Sequence, residues 1–437
     1  MSKSIDIDGD LVTRVEGHGT VVVDATDGEL DTCEWQVVES PRFFESMLDG
    51  RTYEKAHHVV SRICAICSVS HTLASLRATE SALEIDVSER DRSLRRLALF
   101  GETIQSHVLH VGYLALPDLV GSKSALDLPA ENDDDLERVV RLHRLGNDLT
   151  EAIAGRSIHA QRMLPGGFSA IPDREELESL RERLSTAWAD LDAIGALLGD
   201  VAGELPTFER ETEYISLSSE DHYPFVEGTL YSSDTGELDA ANYRDVVNER
   251  VVDHSTAKFT SHARDSYMVG ALARYNNNHE QLAPEALDLA AHLGLDPPTY
   301  NPYLNTVAQV VETAHLVAAS IRTIDDLLDA GLGDQPAYHV PSVEPRAGQG
   351  VGAIEVPRGV LFHDYEYDAE GAVTNANCVI PTNQNHGNIQ RDMETFVPRI
   401  ADRSDEEIEH VLEMLVRAYD PCISCSTHYL DIDIQRK

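Results

Sequence analysis

Arg62-Ile-Cys64-Ala-Ile-Cys67-Ser-Val-Ser-His71 and Asp420-Pro-Cys422-Ile-Ser-Cys425-Ser-Thr-His428 decide how this chain must close. Each stretch holds two cysteines three positions apart, a hook able to clamp one soft metal through two thiolates. Two hooks make a tetrahedral or bridged site. Zinc ribbons set their pairs roughly fifteen to twenty residues apart, because one small loop folds round the ion. Here about 350 residues separate the pairs, so nearly the whole chain must fold to bring them together. Spacing alone leaves three readings open: structural zinc, a thiol redox motif, or a catalytic or electron-transfer metal. The third is favoured. A helix terminus and a cation such as Arg62 would keep the sulfurs ionised.

Composition narrows the partners. The 437 residues include 76 acids against 35 Lys and Arg, a formal charge of −41, so a nucleic-acid or anionic-membrane partner is not expected. The acids are spread along the chain rather than gathered in a tail, a pattern of solvation for high salt. Runs such as Glu131–Glu137 read as solvated faces. No apolar run approaches the length of a membrane span and MSKSIDIDGDL has no signal-peptide pattern, so a soluble cytoplasmic chain is expected. Of six cysteines four sit in the two pairs, and Cys33 and Cys378 read as ordinary core thiols.

Outward from the hooks the pattern is mainly helical with smaller β parts, an α+β chain with a central bundle of long helices in one large domain. Residues 1–40 alternate apolar and polar between turns and read as a small antiparallel sheet. Residues 41–330 form the helical core. Apolar positions at three-to-four spacing mark Phe43 to Leu48, Tyr53 to Val60, Ser68 to Leu83 and Arg92 to Leu116, then about 133–154, 174–200, 260–293 and 304–330. Residues 200–258 read as loops and short strands without evident chemistry. A hairpin region is expected at 335–400, turning at DAEG. Residues 401–428 carry a last helix, capped by Ser404, and the second metal motif.

With their flanks, RICAICSVSH and DPCISCSTH resemble the two signature motifs of nickel-iron hydrogenase large subunits, one near each end of the chain, and the resemblance extends over the stretches between. It implies that Cys64 and Cys422 are terminal thiolates on nickel. Cys67 and Cys425 would bridge nickel to an iron carrying CO and cyanide. H2 would be split heterolytically there, with a nickel thiolate such as Cys422 taking the proton. Arg14-Val-Glu16-Gly-His18 resembles the family's N-terminal motif, whose glutamate relays that proton outward; by itself an Arg-x-Glu before a turn is a surface ion pair. Glu45 in Pro41-Arg-Phe-Phe-Glu45 matches a magnesium ligand of the family, with His428 and a backbone carbonyl at Cys378 as further ligands. His71 would hydrogen-bond a bridging sulfur. Pro357 and Arg358 in Glu355-Val-Pro-Arg-Gly match the residues over the open side of the metals, with the arginine fork on a cyanide. Pro381 and Thr382 resemble the segment at the other cyanide, and Asp420 would pair with Arg358. Ser106 falls where many respiratory members of the family carry an aspartate near that arginine. Without the family, Glu45 and His71 would read as ordinary helix residues and Arg358 as a surface arginine beside a turn.

The resemblance also implies partners. No cysteines are left for an electron relay, so an iron-sulfur small subunit is needed. The wording of PRFFE and EVPRGVLFHDYEYD is most similar to the cytoplasmic bidirectional type with diaphorase subunits. With no Rossmann glycine fingerprint here, NAD(P) and flavin would bind those partners. The alternatives are a deazaflavin- or heterodisulfide-reductase-linked enzyme and the membrane-anchored uptake type. From other classes come a non-catalytic complex I type subunit, against which the four cysteines argue, and a zinc-stabilised scaffold. Tyr429–Lys437 resembles the tail that a maturation protease removes after nickel insertion; the alternative is a permanent strand.

Overall fold

A computed structural model describes residues 4–26, 29–129, 132–332 and 342–427. The chain opens with the expected antiparallel sheet, β1 (Ser4–Leu11), β2 (Gly19–Thr26) and β3 (Glu29–Val37), in the order β1-β2-β3. Alternate residues of β2, Val21, Val23 and Ala25, are buried, as a sheet with one face on the core requires.

The centre is helical: α1 (Ser68–Leu83), α2 (Glu89–Leu109), α3 (Asp133–Ala154) and α4 (Asn305–Asp329). Helix α1 has the bounds its periodicity gave. Helix α2 starts earlier than expected because the Ser88 side chain accepts a hydrogen bond from the Asp91 amide and caps it. Beyond it the backbone widens into a π-helical stretch, His110–Ala115, before the short helix Leu116–Leu119.

Three expectations are corrected. The helix expected at 174–200 is two, Arg174–Thr186 and Trp188–Val201. The helix expected at 260–293 is a strand, Tyr267–Met268, followed by the short helices Ala271–Asn278 and Pro284–His292. Tyr267 pairs in parallel with Glu213, a partner no local pattern could announce, and Gly270 at φ 118° starts the next helix. With Glu213–Ser218, Thr229–Ser232 and Gly236–Leu238, Tyr267–Met268 makes a four-stranded sheet out of the stretch read as loops and short strands. Finally, the region 335–400 is only half β. Strands β4 (Gly348–Val356), β5 (Gly359–Tyr367) and β6 (Val373–Val379) form an antiparallel sheet, and α5 then runs from Pro381 to Ile400. Pro381 occupies the first helical position, where its missing N–H is not needed. The last long helix, α6 (Asp405–Ala418), carries a full capping box between Ser404 and Glu407.

One seam sets the distance between the first cysteine hook and this sheet. Gly348, Gly350 and Gly352 lie on one face of β4, and a Cβ on each would come within 2.2, 2.3 and 2.2 Å of the carbonyl oxygens of Ala82, Ala78 and Ala74. Strand period two meets helix period four, and the small residues let β4 rest on the backbone of α1. Cys67, just before α1, is thereby fixed against Arg358, just after β4.

Candidate metal centre

Cys67 is the residue before the first turn of α1, and Cys64 lies three residues ahead of it. Because the Cys67 sulfur faces the site, it cannot cap the helix. Glu102 of α2 does so instead, accepting from the Val69 amide at 2.6 Å, the Ser70 amide at 2.8 Å and the Ser70 hydroxyl. Burial pushes this carboxyl up to about 8, with the hydrogen bonds from Ser70 and Val69 opposing. The second hook begins the short helix Ile423–Ser426, directly after α6 ends, and the Cys422 amide donates to Thr382 Oγ1 at 3.0 Å.

The two hooks meet. All four cysteines are free and buried. The sulfurs of Cys64, Cys422 and Cys425 lie within 4.8 Å of one another, with Cys64 to Cys422 at 3.5 Å and Cys422 to Cys425 at 2.8 Å. The fourth sulfur, of Cys67, takes a hydrogen bond from Arg358 Nη1 at 3.3 Å. Hydrogen bonds from Cys422, Cys425 and Cys67 hold Cys64 well below the ordinary thiol range, and Arg358 adds to this. Its contact with Cys425 drives Cys422 up, while burial drives Cys425 up. Sulfurs crowded this closely, with a guanidinium on the fourth, form a donor set shaped to surround cationic metal.

Arg358 is the most heavily committed cation at the site. Its Nε donates to the Asp420 carbonyl at 2.7 Å, Nη2 to Asp420 Oδ1 at 2.8 Å, and Nη1 also to Ser106 Oγ at 3.2 Å. The surface setting that a lone arginine beside a turn suggests is not found. Asp420 also accepts from Gln309 Nε2 at 3.0 Å. Pro357 is buried beside the arginine, and Pro381 and Thr382 are buried at the start of α5.

Glu16 lies on the second hook. The Ile423 amide donates to its carbonyl at 2.9 Å and the Ser424 amide to its carboxylate at 3.0 Å, while Gly17 sits where a Cβ would be 2.7 Å from that of Ile423. Arg14 does not pair with Glu16; it donates to the Leu114 carbonyl at 2.7 Å and pairs with Asp118. The half-buried Glu45 sits on the short helix Phe44–Leu48, and its charge acts on the buried Cys378 thiol, which burial first and then Glu45 and Glu249 push well above its ordinary value. His428 lies outside the described residues. The imidazole of His71 meets His363 Nε2 at 3.1 Å, and His363 continues to the Tyr365 hydroxyl at 2.6 Å.

Arg42 was missed in the sequence, although it stands inside PRFFE. Its Nη2 reaches the carbonyl of Ile63 at 2.6 Å and that of Ser424, tying the two hooks together. Glu102 and His363 were missed too, and nothing local in the sequence marks them.

The model of the nickel-dependent hydrogenase family matches residues 42–154 and 230–428. Sulfhydrogenase 1 subunit alpha of Pyrococcus furiosus is 32% identical over 421 residues, covering 96% of this chain and 97% of the relative. The NAD-reducing hydrogenase HoxS subunit beta of Cupriavidus necator is 30% identical over 98% of this chain and 96% of its own. Among solved structures, an NAD+-reducing [NiFe]-hydrogenase in its H2-reduced state superposes with a TM-score of 0.85 at 27% identity, covering 98% of this chain and 99% of that one. The residues present fit the metals of this family: four buried thiols from both ends of the chain converge without disulfides, a donor set for soft metals such as nickel and low-valent iron. The chain belongs to the nickel-dependent hydrogenase family and is the catalytic large subunit of a nickel-iron hydrogenase.

Proposed function

We propose that this subunit works as the hydrogen-activating part of a cytoplasmic, NAD(P)-linked complex, passing electrons to an iron-sulfur small subunit and on through diaphorase-type subunits. The observation that carries the proton side of this reading is the Glu16 carboxylate on the amide of Ser424, between the two cysteines of the second hook and Gly17. When bound, a nickel-iron centre with CO and cyanide on iron supplies reversible heterolytic cleavage of H2. Cys64 and Cys422 would hold nickel, and Cys67 and Cys425 would bridge to iron. The residues of the chain then do three things. Cys422 accepts the proton at its sulfur, and Glu16, whose carboxylate accepts from the Ser424 amide two residues from Cys422, takes it toward the surface. Arg358, fixed by Asp420, keeps one N–H on Nη2 beyond the four it donates to Asp420, Cys67 and Ser106, and a diatomic ligand on iron would accept it. Glu45, with the Cys378 carbonyl and His428, would hold Mg2+ behind the site.

The acceptor reading is supported by the likeness to the NAD-reducing relative and to the NAD+-reducing structure over almost the full chain. No helix among the described residues is long and apolar enough to cross a membrane. The test is to purify the complex from its native host, identify the subunits that come with this chain, and assay H2-dependent reduction of NAD+ and NADP+. Reduction of either, with an iron-sulfur and a flavin subunit present, is the expected result. Reduction of a deazaflavin only, of sulfur only, or co-purification with a heterodisulfide reductase would replace the acceptor. The segment Tyr429–Lys437 is proposed to be cut off by a maturation protease. Intact-mass analysis of nickel-loaded protein that still carries those residues would refute this.

A further inference from the structure

Arg274 is buried with no exposed side chain, and its guanidinium has five N–H donors. All five are used. Nε and Nη2 donate to the two oxygens of Glu312 at 2.7 and 2.6 Å, and Nη1 donates to Glu355 Oε2 at 2.7 Å. The other two bonds go to backbone, from Nη1 to the Val356 carbonyl at 2.8 Å and from Nη2 to the Pro357 carbonyl at 3.1 Å. Those carbonyls belong to the two residues immediately before Arg358, in the tight connection where Val356 pairs with Gly359. Gly359, at φ 132°, lets the turn close onto Val269 and Gly270, and the Arg274 amide donates to the Gly270 carbonyl. The turn carrying Arg358 is therefore seated on the start of one helix and gripped by a side chain one turn into it.

A second route reaches the same arginine. Glu312 also accepts from the Tyr223 hydroxyl at 2.7 Å and contacts His107 Nε2 at 2.6 Å, and the residue before His107 is Ser106, whose hydroxyl faces Arg358. Glu355 is held in turn by the Leu217 amide at 2.7 Å. We infer that Arg274, braced by Glu312 and Glu355, is a positioning residue that fixes the Pro357–Arg358 turn, so that the Arg358 guanidinium stays between Cys67 and Asp420. It touches neither the cysteines nor substrate. It acts by pinning two carbonyls that a planar five-donor fork can span and a single ammonium cannot.

The proposal rests on Arg358 acting at the open side of the metals, and the test separates the two claims. Arg274→Lys keeps the charge against Glu312 and gives up the carbonyl contacts. In a crystal structure of the metal-free variant, Arg358 is expected to leave Cys67 or to take several conformations. In the metal-loaded complex the cyanide infrared bands are expected to shift or broaden, and H2 turnover to fall about tenfold or more at unchanged nickel and iron content. An Arg358 found in its present place in the crystal overturns the positioning role. Arg358 displaced with full turnover and unmoved bands leaves positioning standing and removes the role of Arg358 itself. If Arg274→Lys does not fold, Glu355→Gln keeps the acceptor for Leu217 but can turn an amide donor toward Nη1, loosening the grip on Val356. The same crystallographic readout then decides, displaced Arg358 for the proposal and unmoved Arg358 against it.

Discussion

At the scale of single residues, two side chains outside the cysteines carry distinct consequences. Glu16→Gln keeps shape and the amide contact to Ser424 but removes a transferable proton. Turnover with an artificial electron acceptor is expected to drop by about 10²- to 10⁴-fold with the metals retained, and unchanged turnover would exclude the relay. Arg42 ties the Ile63 and Ser424 carbonyls, and hydrogen bonds from a charged donor contribute about 1.5–3 kcal/mol each. Arg42→Ala is expected to lower both the unfolding midpoint and the nickel occupancy, since the hooks lose their common strap. The cysteines were legible as a metal set from their paired spacing, whereas Glu16 and Arg358 stood out only through the resemblance of their motifs, since each alone reads as a surface residue. Arg42 stood in view within PRFFE, next to the residue that drew the reading. Arg274, Glu312 and Glu102 were not legible: a charged residue on a helix reads as solvated unless its partners are known, and theirs lie far away in sequence.

At the scale of elements, the seam between α1 and β4 fixes how near the first hook comes to Arg358. Gly350→Ala would place a Cβ 2.3 Å from the Ala78 carbonyl and 2.4 Å from the Ala82 amide, so strand and helix must separate. Overpacking of this kind costs about 1–3 kcal/mol, and here activity should fall along with stability. Gly203→Ala, with nothing within 4 Å of the new Cβ, is the control and should leave both unchanged. A thermal melt and an H2 assay on each variant check the pair. Helix α1 and the Ser404 cap could be read from periodicity and cap chemistry. Helix α5 could not, because its first turns, Thr382-Asn-Gln-Asn-His-Gly-Asn388, are polar yet buried and show no apolar stripe. Strand Tyr267–Met268 was hidden because its partner strand begins at Glu213, and such parallel pairing leaves no turn signal.

At the scale of the whole molecule, acid and salt should act in opposite directions. Burial pushes His57 and His386 down to about 3 and His315 to about 4, so all three are neutral in the fold. In the unfolded chain they bind protons below about 6.5. The stability they contribute is thus present above that pH and is lost as pH falls from about 6.5 toward 3, at up to about 1.4 kcal/mol per pH unit for each. His57→Phe should flatten this acid limb in denaturant titrations at pH 5 and 7, and an unaltered slope would remove His57 from it. The charge of −41 repels itself, so raising KCl should lift the unfolding midpoint as the Debye length shrinks from about 10 Å at 0.1 M to about 3 Å at 1 M. A midpoint that falls with salt would contradict the reading of the acid excess.

All of this turns on what the two hooks hold. The most direct measurement is metal analysis of the purified native protein combined with its infrared spectrum. Nickel and iron in equal amounts, with bands for one CO and two cyanides that are lost in Cys64→Ser and Cys425→Ser variants, is the expected result. Zinc in place of both metals, with no such bands, would contradict the assignment of the four cysteines to a nickel-iron centre.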